Sequence, residues 1–389
     1  MTDIKKDVVI IFSASTGGGH NLAAQSLKQG FDERGQYDVR IIDAFAANVP
    51  VLNRFLTHGY KQMVEKTPKL YHRFYYQMDK MNRYQQNIFK TVSRIMNPEI
   101  VPMILEEEPV LLVSTHPFVT NILGLLKERG AFDIPVLSFV TDFKIHGAYI
   151  HPMIDAYIVG SQYTKDDMIK RGIPADIIYP FGIPVREAFT RKNPDNVPEV
   201  TDETIRGTIL MMAGSMGSSQ MEKAFAAVMK AEQKIRIIVV CGHNDALVHD
   251  LNFLARVYQD PSKVVEVHGF MDNIPELMDE SDVIISKPGG LTTSEAMMKG
   301  IPMLIPYYYP GQEEENVDYL VEGGMGIKID KIKDLTSMVD FLVENKYIIQ
   351  EMSKNMSEES KRHSLDATLD VCEDLIQRYK TTQKDESES

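Results

Sequence analysis

Short apolar runs rich in Val and Ile recur along the chain, separated by longer helix-patterned stretches. In the first half, runs at 7–12, 37–42, 109–114, 135–141, 154–159 and, more weakly, 176–180 predict buried parallel strands. The stretches between them predict helices at 20–34, 51–66, 98–107, 117–129 and 161–171. The second half repeats the alternation. Its strands are predicted at 207–213, 235–241, 263–267, 282–286 and 302–306, and its helices at 219–231, 244–257, 273–279, 291–299 and 314–322. Alternation of this kind builds doubly wound parallel sheets. The expectation is an α/β protein of two Rossmann-like domains in series, residues 1–195 and 206–362. Helices at 334–344 and 346–360 close the second domain, and a polar stretch with two prolines at 190–205 reads as the linker. The last helix, 364–380, is expected to return to the first domain and complete it, and the nine polar residues after it to be disordered.

In open α/β sheets a ligand sits off the carboxyl ends of the strands, so the loops after strands are where chemistry belongs. The first of these, Ser-Thr-Gly-Gly-Gly-His at 15–20, leads from a strand into a helix. Its glycines allow close backbone approach, and the free N–H groups of a helix N-terminus collect negative charge. Gly18 and Gly19 are candidate ligand contacts, and His20 is an imidazole aimed at the same place. A tight turn with a solvated histidine fits the same residues. No Gly-Lys-Ser/Thr follows, so this is not a Walker loop; the missing third glycine disfavours a dinucleotide-binding dehydrogenase.

The loops of the second half raise the odds of a ligand. Gly214, Ser215 and Gly217 can present N–H groups and hydroxyls to a phosphate. Lys287, Pro288, Gly289, Gly290 and Thr292 lead into another helix, with Glu295 inside it. That carboxylate can accept from both hydroxyls of a ribose, or serve as a favourable helix N-terminal charge. Gly311, Gln312, Glu313 and Asn316 lie behind a Pro-Gly turn and suit the hydroxyls of a sugar, or form a solvated acidic turn. Gly269, Phe270 and Met271 can offer backbone groups to a base edge.

Composition narrows the setting. At 389 residues the chain has room for two domains, and its two cysteines, Cys241 and Cys372, give neither a disulfide framework nor zinc spacing. A reduced, cytoplasmic setting is expected, with no signal-peptide core at the N-terminus and no membrane-spanning run. A net charge of −13 argues against nucleic-acid partners. Between Val51 and Arg94, however, nine lysines and arginines face only Glu65 and Asp79, interleaved with eight Phe and Tyr residues. Basic and aromatic residues on helical segments are what an anionic membrane surface attracts, and Lys61, Lys66, Lys69 and Arg73 are the candidate contacts. A helix pair with buried aromatics and a solvated lysine face is the plainer alternative.

Taken together, Ser-Lys-Pro-Gly-Gly-Leu-Thr-Thr-Ser-Glu-Ala (286–296) and Pro-Gly-Gln-Glu-Glu-Glu-Asn (310–316) resemble the donor site of the diacylglycerol glycosyltransferases. That group holds bacterial processive glucosyltransferases and plant monogalactosyldiacylglycerol synthases. The 15–20 loop and Thr-Asp-Phe-Lys-Ile-His-Gly-Ala-Tyr-Ile-His-Pro (141–152) resemble the same group, so the likeness spans roughly 7–325. Tyr149 departs from it, since the family pattern more often has Trp there.

The resemblance implies a GT-B fold with two domains facing a central cleft, a UDP-hexose donor, diacylglycerol as acceptor, and inversion without a catalytic metal. It implies a peripheral protein at the cytoplasmic face of the cell membrane. It places the base at His20. Asp142, at the end of the strand at 135–141, is the candidate to support it; His116 and His146, on loops after strands, read as structural or acceptor-side, and Tyr149 falls on the acceptor side. The chain has no Asp-x-Asp triplet after a strand to hold a metal, so no metal or other cofactor is expected. Glucose is favoured over galactose. The competing readings are a galactose-using synthase, a transferase of peptidoglycan lipid intermediates, a sugar-nucleotide epimerase, which has no use for the basic insertion, and a non-catalytic nucleotide-sugar sensor.

Overall fold

A computed structural model describes residues 6–14, 18–44, 79, 100–190, 204–213, 218–309 and 311–388. The chain divides into two compact units: residues 1–185 with 310–312 and 362–389, and residues 186–309 with 313–361.

The first unit holds strands β1 (Asp7–Ser13), β2 (Tyr37–Asp43), β3 (Leu111–Ser114), β4 (Val136–Phe139), β5 (Ala156–Ile158) and β6 (Ile178–Tyr179). They form one parallel sheet in the order β2-β1-β3-β4-β5-β6. Its helices include α1 (Gly18–Arg34), α2 (Pro117–Glu128) and α3 (Gln162–Lys170). Val9 to Phe12 and Leu111 to Ser114 are fully buried, which is why these strands read as unbroken apolar runs rather than alternating ones. Ala23, Ala24, Leu27 and Phe31 give α1 one buried face at helical spacing.

The second unit contains β7 (Gly207–Met212), β8 (Ile235–Val240), β9 (Lys263–His268), β10 (Val283–Ile285), β11 (Met303–Ile305) and β12 (Gly326–Lys328). The order is β12-β11-β10-β7-β8-β9, again parallel. Its helices are α4 (Glu187–Thr190), α5 (Ser218–Val228), α6 (Asp245–Tyr258), α7 (Ile274–Asp279), α8 (Gly290–Lys299), α9 (Gln312–Glu322), α10 (Leu335–Glu344) and α11 (Lys346–Ser360). Each unit encloses its own apolar core.

The final helix, α12 (Leu365–Glu388), packs on α1. Gly30 is the contact that allows it: a Cβ there would lie 2.9 Å from Leu369 and 3.0 Å from Leu365. Arg34 at the end of α1 pairs with Asp370 (2.8 Å) and Glu373 (2.9 Å).

Three expectations are corrected. The tail after 380 is helical through Glu388, because extending a formed helix needs no new nucleus; Thr381 and Thr382 bond back to the carbonyls of Gln377 and Arg378. β12 was not predicted: Gly-Ile-Lys is too short to show as an apolar run, and Gly326 is needed because a Cβ would sit 2.9 Å from the Met303 carbonyl. The helix expected from 314 begins two residues earlier, at Gln312, so Glu313 joins Glu314 and Glu315 in the first turn of α9, a placement that suits three glutamates at a helix N-terminus.

Candidate functional site

Strand order singles out one place on each sheet. In the first unit the chain leaves β1 toward β2 on one side and resumes at β3 on the other, so the carboxyl ends of β1 and β3 flank the topological switch point, where open α/β sheets bind ligands. In the second unit the corresponding point lies between β7 and β10.

The first switch point is built around His20, the third residue of α1, with Gly18 and Gly19 before it. Ser13, at the end of β1, donates to Asn21 Oδ1 (2.5 Å) and ties the strand to the start of the helix. His20 Nδ1 lies 2.6 Å from the Thr115 carbonyl oxygen and 3.1 Å from Thr141 Oγ1. Thr115 follows β3, and its own N–H donates to the Phe12 carbonyl (3.0 Å), so the sheet fixes that peptide. A carbonyl only accepts, so Nδ1 must carry the hydrogen, which leaves the lone pair on Nε2. His20 thus has the tautomer of a base at Nε2.

The imidazole keeps some solvent contact but lies deep among protein atoms. Burial lowers its pKa from 6.5 to about 4, against the smaller upward pull of the Thr115 carbonyl. Its neutrality at pH 7 therefore comes from desolvation and not from the helix terminus alone. His116 meets the ring edge-on, with centroids 4.8 Å apart, and is itself held well below its ordinary pKa by burial and then by His20. It precedes α2 and stacks on Phe118 at 5.7 Å.

Asp142 was expected at the end of a strand running to 141, but β4 stops at Phe139 and Asp142 lies in the buried loop beyond it. Its charge acts on Tyr149: burial and then Asp142 push the phenol pKa far up, so the side chain stays neutral. His146 caps the short 3₁₀ turn Gly147–Tyr149, its Nδ1 accepting from the Ala148 N–H at 3.1 Å. Asp79 braces the same turn by accepting from the Gly147 N–H (2.8 Å) and from Arg171 (2.7 Å). Burial would raise the Asp79 pKa, but Arg171 and the Gly147 N–H hold it below the usual carboxylate range. Lys61, Lys66, Lys69 and Arg73 lie outside the described residues.

At the second switch point Gly214, Ser215 and Gly217 also lie outside the described residues. After β10, Lys287 and Pro288 lead to Gly289, which precedes α8, and Gly290 and Thr292 form its first turn. Burial raises the Glu295 pKa from 4.5 to about 7, against the downward pull of Arg186, so at neutral pH this carboxyl can both accept and donate. Lys287 forms an ion pair with Glu313 and lies 5.8 Å over the Tyr309 ring. Glu313 also accepts from the Tyr309 N–H (2.8 Å), and Asn316 donates to the Pro288 carbonyl (2.9 Å). These bonds stitch the Lys287–Pro288 turn to the first turn of α9. Gly311, at φ +103°, takes a conformation that glycine alone adopts freely. Gly269, Phe270 and Met271 follow β9; the exposed Phe270 ring stacks on His243 at 4.4 Å and 8°.

The structure thus gathers His20, His116, Asp142 and Tyr149 on the first unit, and Lys287 to Glu295 with Glu313 and Asn316 on the second. Thr115, Thr141 and His243 were not anticipated. Thr141 was visible only inside a quoted motif, and the Thr115 carbonyl has no sequence signal at all.

Two family models match the chain: monogalactosyldiacylglycerol (MGDG) synthase over residues 20–185 and the glycosyltransferase family 28 C-terminal domain over 208–368. The processive diacylglycerol beta-glucosyltransferase of Bacillus cytotoxicus is 30% identical over 375 residues, 94% of each chain. Its Bacillus cereus counterpart is 30% identical over 372 residues, with the same coverage. Among solved structures, MurG of Acinetobacter baumannii superposes with a TM-score of 0.64 at 17% identity, covering 96% of this chain and 99% of its own. Anabaena HepE in complex with UDP-glucose gives 0.54 at 13%, covering 97% and 99%. The fold is that of the GT-B glycosyltransferases.

Proposed function

Because the chain belongs to the diacylglycerol glycosyltransferase family, we propose that this glycosyltransferase moves glucose from UDP-glucose to the free hydroxyl of diacylglycerol, inverting the anomeric centre. The observation that carries the reading is the His20 tautomer, a neutral imidazole with its Nε2 lone pair available at a switch point. The acceptor oxygen attacks C1 of the sugar, the C1–O bond to the diphosphate breaks, and that electron pair leaves on UDP. His20 Nε2 takes the alcohol proton as the new bond forms, help worth about 10²–10⁴-fold. Asp142 supports this base through the Thr141–Tyr149 loop. His116 and His146 border the acceptor.

On the donor side, Gly18 and Gly19 on the first unit, and Gly289 and Gly290 on the second, each offer N–H groups suited to a diphosphate. Glu295 takes the ribose hydroxyls, the 269–271 backbone the base, and Gln312 with Glu313 the sugar. The first domain (1–195 with the C-terminal helix) handles acceptor and membrane, and the second (206–362) the donor. Lys61, Lys66, Lys69 and Arg73 hold the enzyme to anionic lipid at the cytoplasmic face.

The names of the relatives favour glucose. The match of the first unit to the monogalactosyldiacylglycerol synthase model favours a second reading, with galactose as the sugar. Labelled UDP-glucose and diacylglycerol vesicles test the proposal. Wild type should give a lipid-soluble labelled product, and His20→Ala should lose transfer while UDP binding stays nearly normal. A variant that kept more than about a tenth of the rate would remove His20 from the base role.

A further inference from the structure

His20 Nδ1 has two oxygen neighbours, and only the Thr115 carbonyl is accounted for by the sheet. The other, Thr141 Oγ1, sits at 3.1 Å and is also 3.2 Å from the Tyr149 hydroxyl. All three residues around this contact are withdrawn from water: Thr141 is 6% exposed, Tyr149 1% and Thr115 0%. Because Nδ1 donates to a carbonyl, Thr141 cannot donate to it, and its oxygen can only share the same N–H. The Thr141 proton is then free for the Tyr149 oxygen, or the Tyr149 proton for Thr141; either orientation keeps the pair bonded. Tyr149 is immobile in turn. Its N–H donates to the His146 carbonyl at 2.9 Å, in a 3₁₀ turn held by the His146 side chain and by Asp79.

We propose that Thr141 is a positioning residue for His20, and that the Tyr149 hydroxyl completes it by fixing the Thr141 rotamer. The inference rests on the reading of His20 as the base. Thr141 gives the imidazole a second acceptor on its Nδ1 side. The ring is then held at two points instead of one, and Nε2 keeps a single direction while it takes the acceptor proton. The resulting imidazolium shares its Nδ1–H between two oxygens.

The experiment is steady-state kinetics with UDP-glucose and diacylglycerol vesicles on Thr141→Val, Thr141→Ser, Tyr149→Phe and His20→Ala. Thr141→Val removes the oxygen at nearly constant volume and should lower kcat about tenfold with both KM values within about twofold, the size of one lost hydrogen bond. Thr141→Ser keeps the oxygen and should stay within about twofold of wild type. Tyr149→Phe should fall between them. Selective ¹⁵N-histidine NMR adds a readout independent of turnover: wild type and Thr141→Val should both keep the His20 hydrogen on Nδ1, which the Thr115 carbonyl fixes, and Thr141→Val should shift the Nδ1–H resonance because the second acceptor is gone.

A wild-type kcat in Thr141→Val, or an equal loss in Thr141→Ser, overturns the proposal. If Thr141→Val does not fold, a wild-type kcat in Tyr149→Phe overturns it instead. An inactive His20→Ala beside a normal Thr141→Val defeats the positioning role alone, whereas an active His20→Ala defeats the base reading beneath it.

Discussion

The low basicity of His20 has a measurable consequence in the pH dependence of transfer. Burial takes its pKa from 6.5 to about 4, which is about 3 kcal/mol taken from the imidazolium. At pH 5.5 an ordinary imidazole would be neutral in about one molecule in eleven, while His20 is neutral in nearly all of them. In a Glu295→Gln background, which removes the carboxyl that titrates near 7 in the donor site, the kcat/KM of the free enzyme should then be flat from pH 7.5 to 5.5 and break only as pH approaches about 4. The diphosphate of UDP-glucose keeps its charge over this range, so the substrate adds no break. Initial rates at low UDP-glucose would be measured from pH 7.5 to 4.5, with aliquots returned to pH 7.5 to separate titration from unfolding. The same shift enters stability. An imidazole held neutral stabilises the fold above pH 6.5, and that contribution is lost as pH falls from 6.5 toward 4, about 2 kcal/mol of it by pH 5. Full recovery on return to pH 7.5 therefore accompanies the flat profile. A reversible tenfold fall per pH unit starting near 6.5 would refute the reasoning, because it would mean that the base is not desolvated.

The turn at Gly182 and the start of α12 give a stability prediction. At φ +85° a Cβ on Gly182 would lie 2.3 Å from the His363 ring, so Gly182→Ala should cost about 2–4 kcal/mol, read as a lower midpoint in urea by circular dichroism; an unchanged midpoint would contradict this packing. Reversing Lys61, Lys66, Lys69 and Arg73 to Glu should abolish sedimentation with anionic vesicles at low salt, as should raised salt on the wild type. Binding indifferent to both would show that the segment does not dock electrostatically.

The fold was readable wherever a strand is buried on both faces. Val8 to Phe12 and Ile237 to Cys241 announce themselves as apolar runs because no side of either stretch meets water. β12 escaped for the opposite reason, an edge strand of three residues with Lys328 exposed at its end. The end of α12 was hidden because Gln, Lys, Asp and Glu suit a helix and a disordered tail equally well. At the site, the glycine turns, His20 and Glu295 could be picked out from residue type and from their position after strands. The partners of His20 could not. The Thr115 carbonyl belongs to a backbone 95 residues away and reaches Nδ1 only because β3 pairs with β1 in the register Phe12–Ser114. Thr141 is likewise 121 residues distant, brought in by the loop after β4. The Lys287–Glu313 pair joins two motifs that each read as a separate ligand loop, a contact that neither motif predicts by itself.

The most direct test of the account is the anomeric linkage of the product. The purified chain would be incubated with UDP-glucose and diacylglycerol vesicles, and the coupling of the anomeric proton read by NMR on the isolated lipid. Direct displacement with His20 as base predicts β-glucosyl-diacylglycerol, the inverse of the α linkage in the donor. An α-linked glycolipid, or glucose released to water with no lipid product, would contradict it.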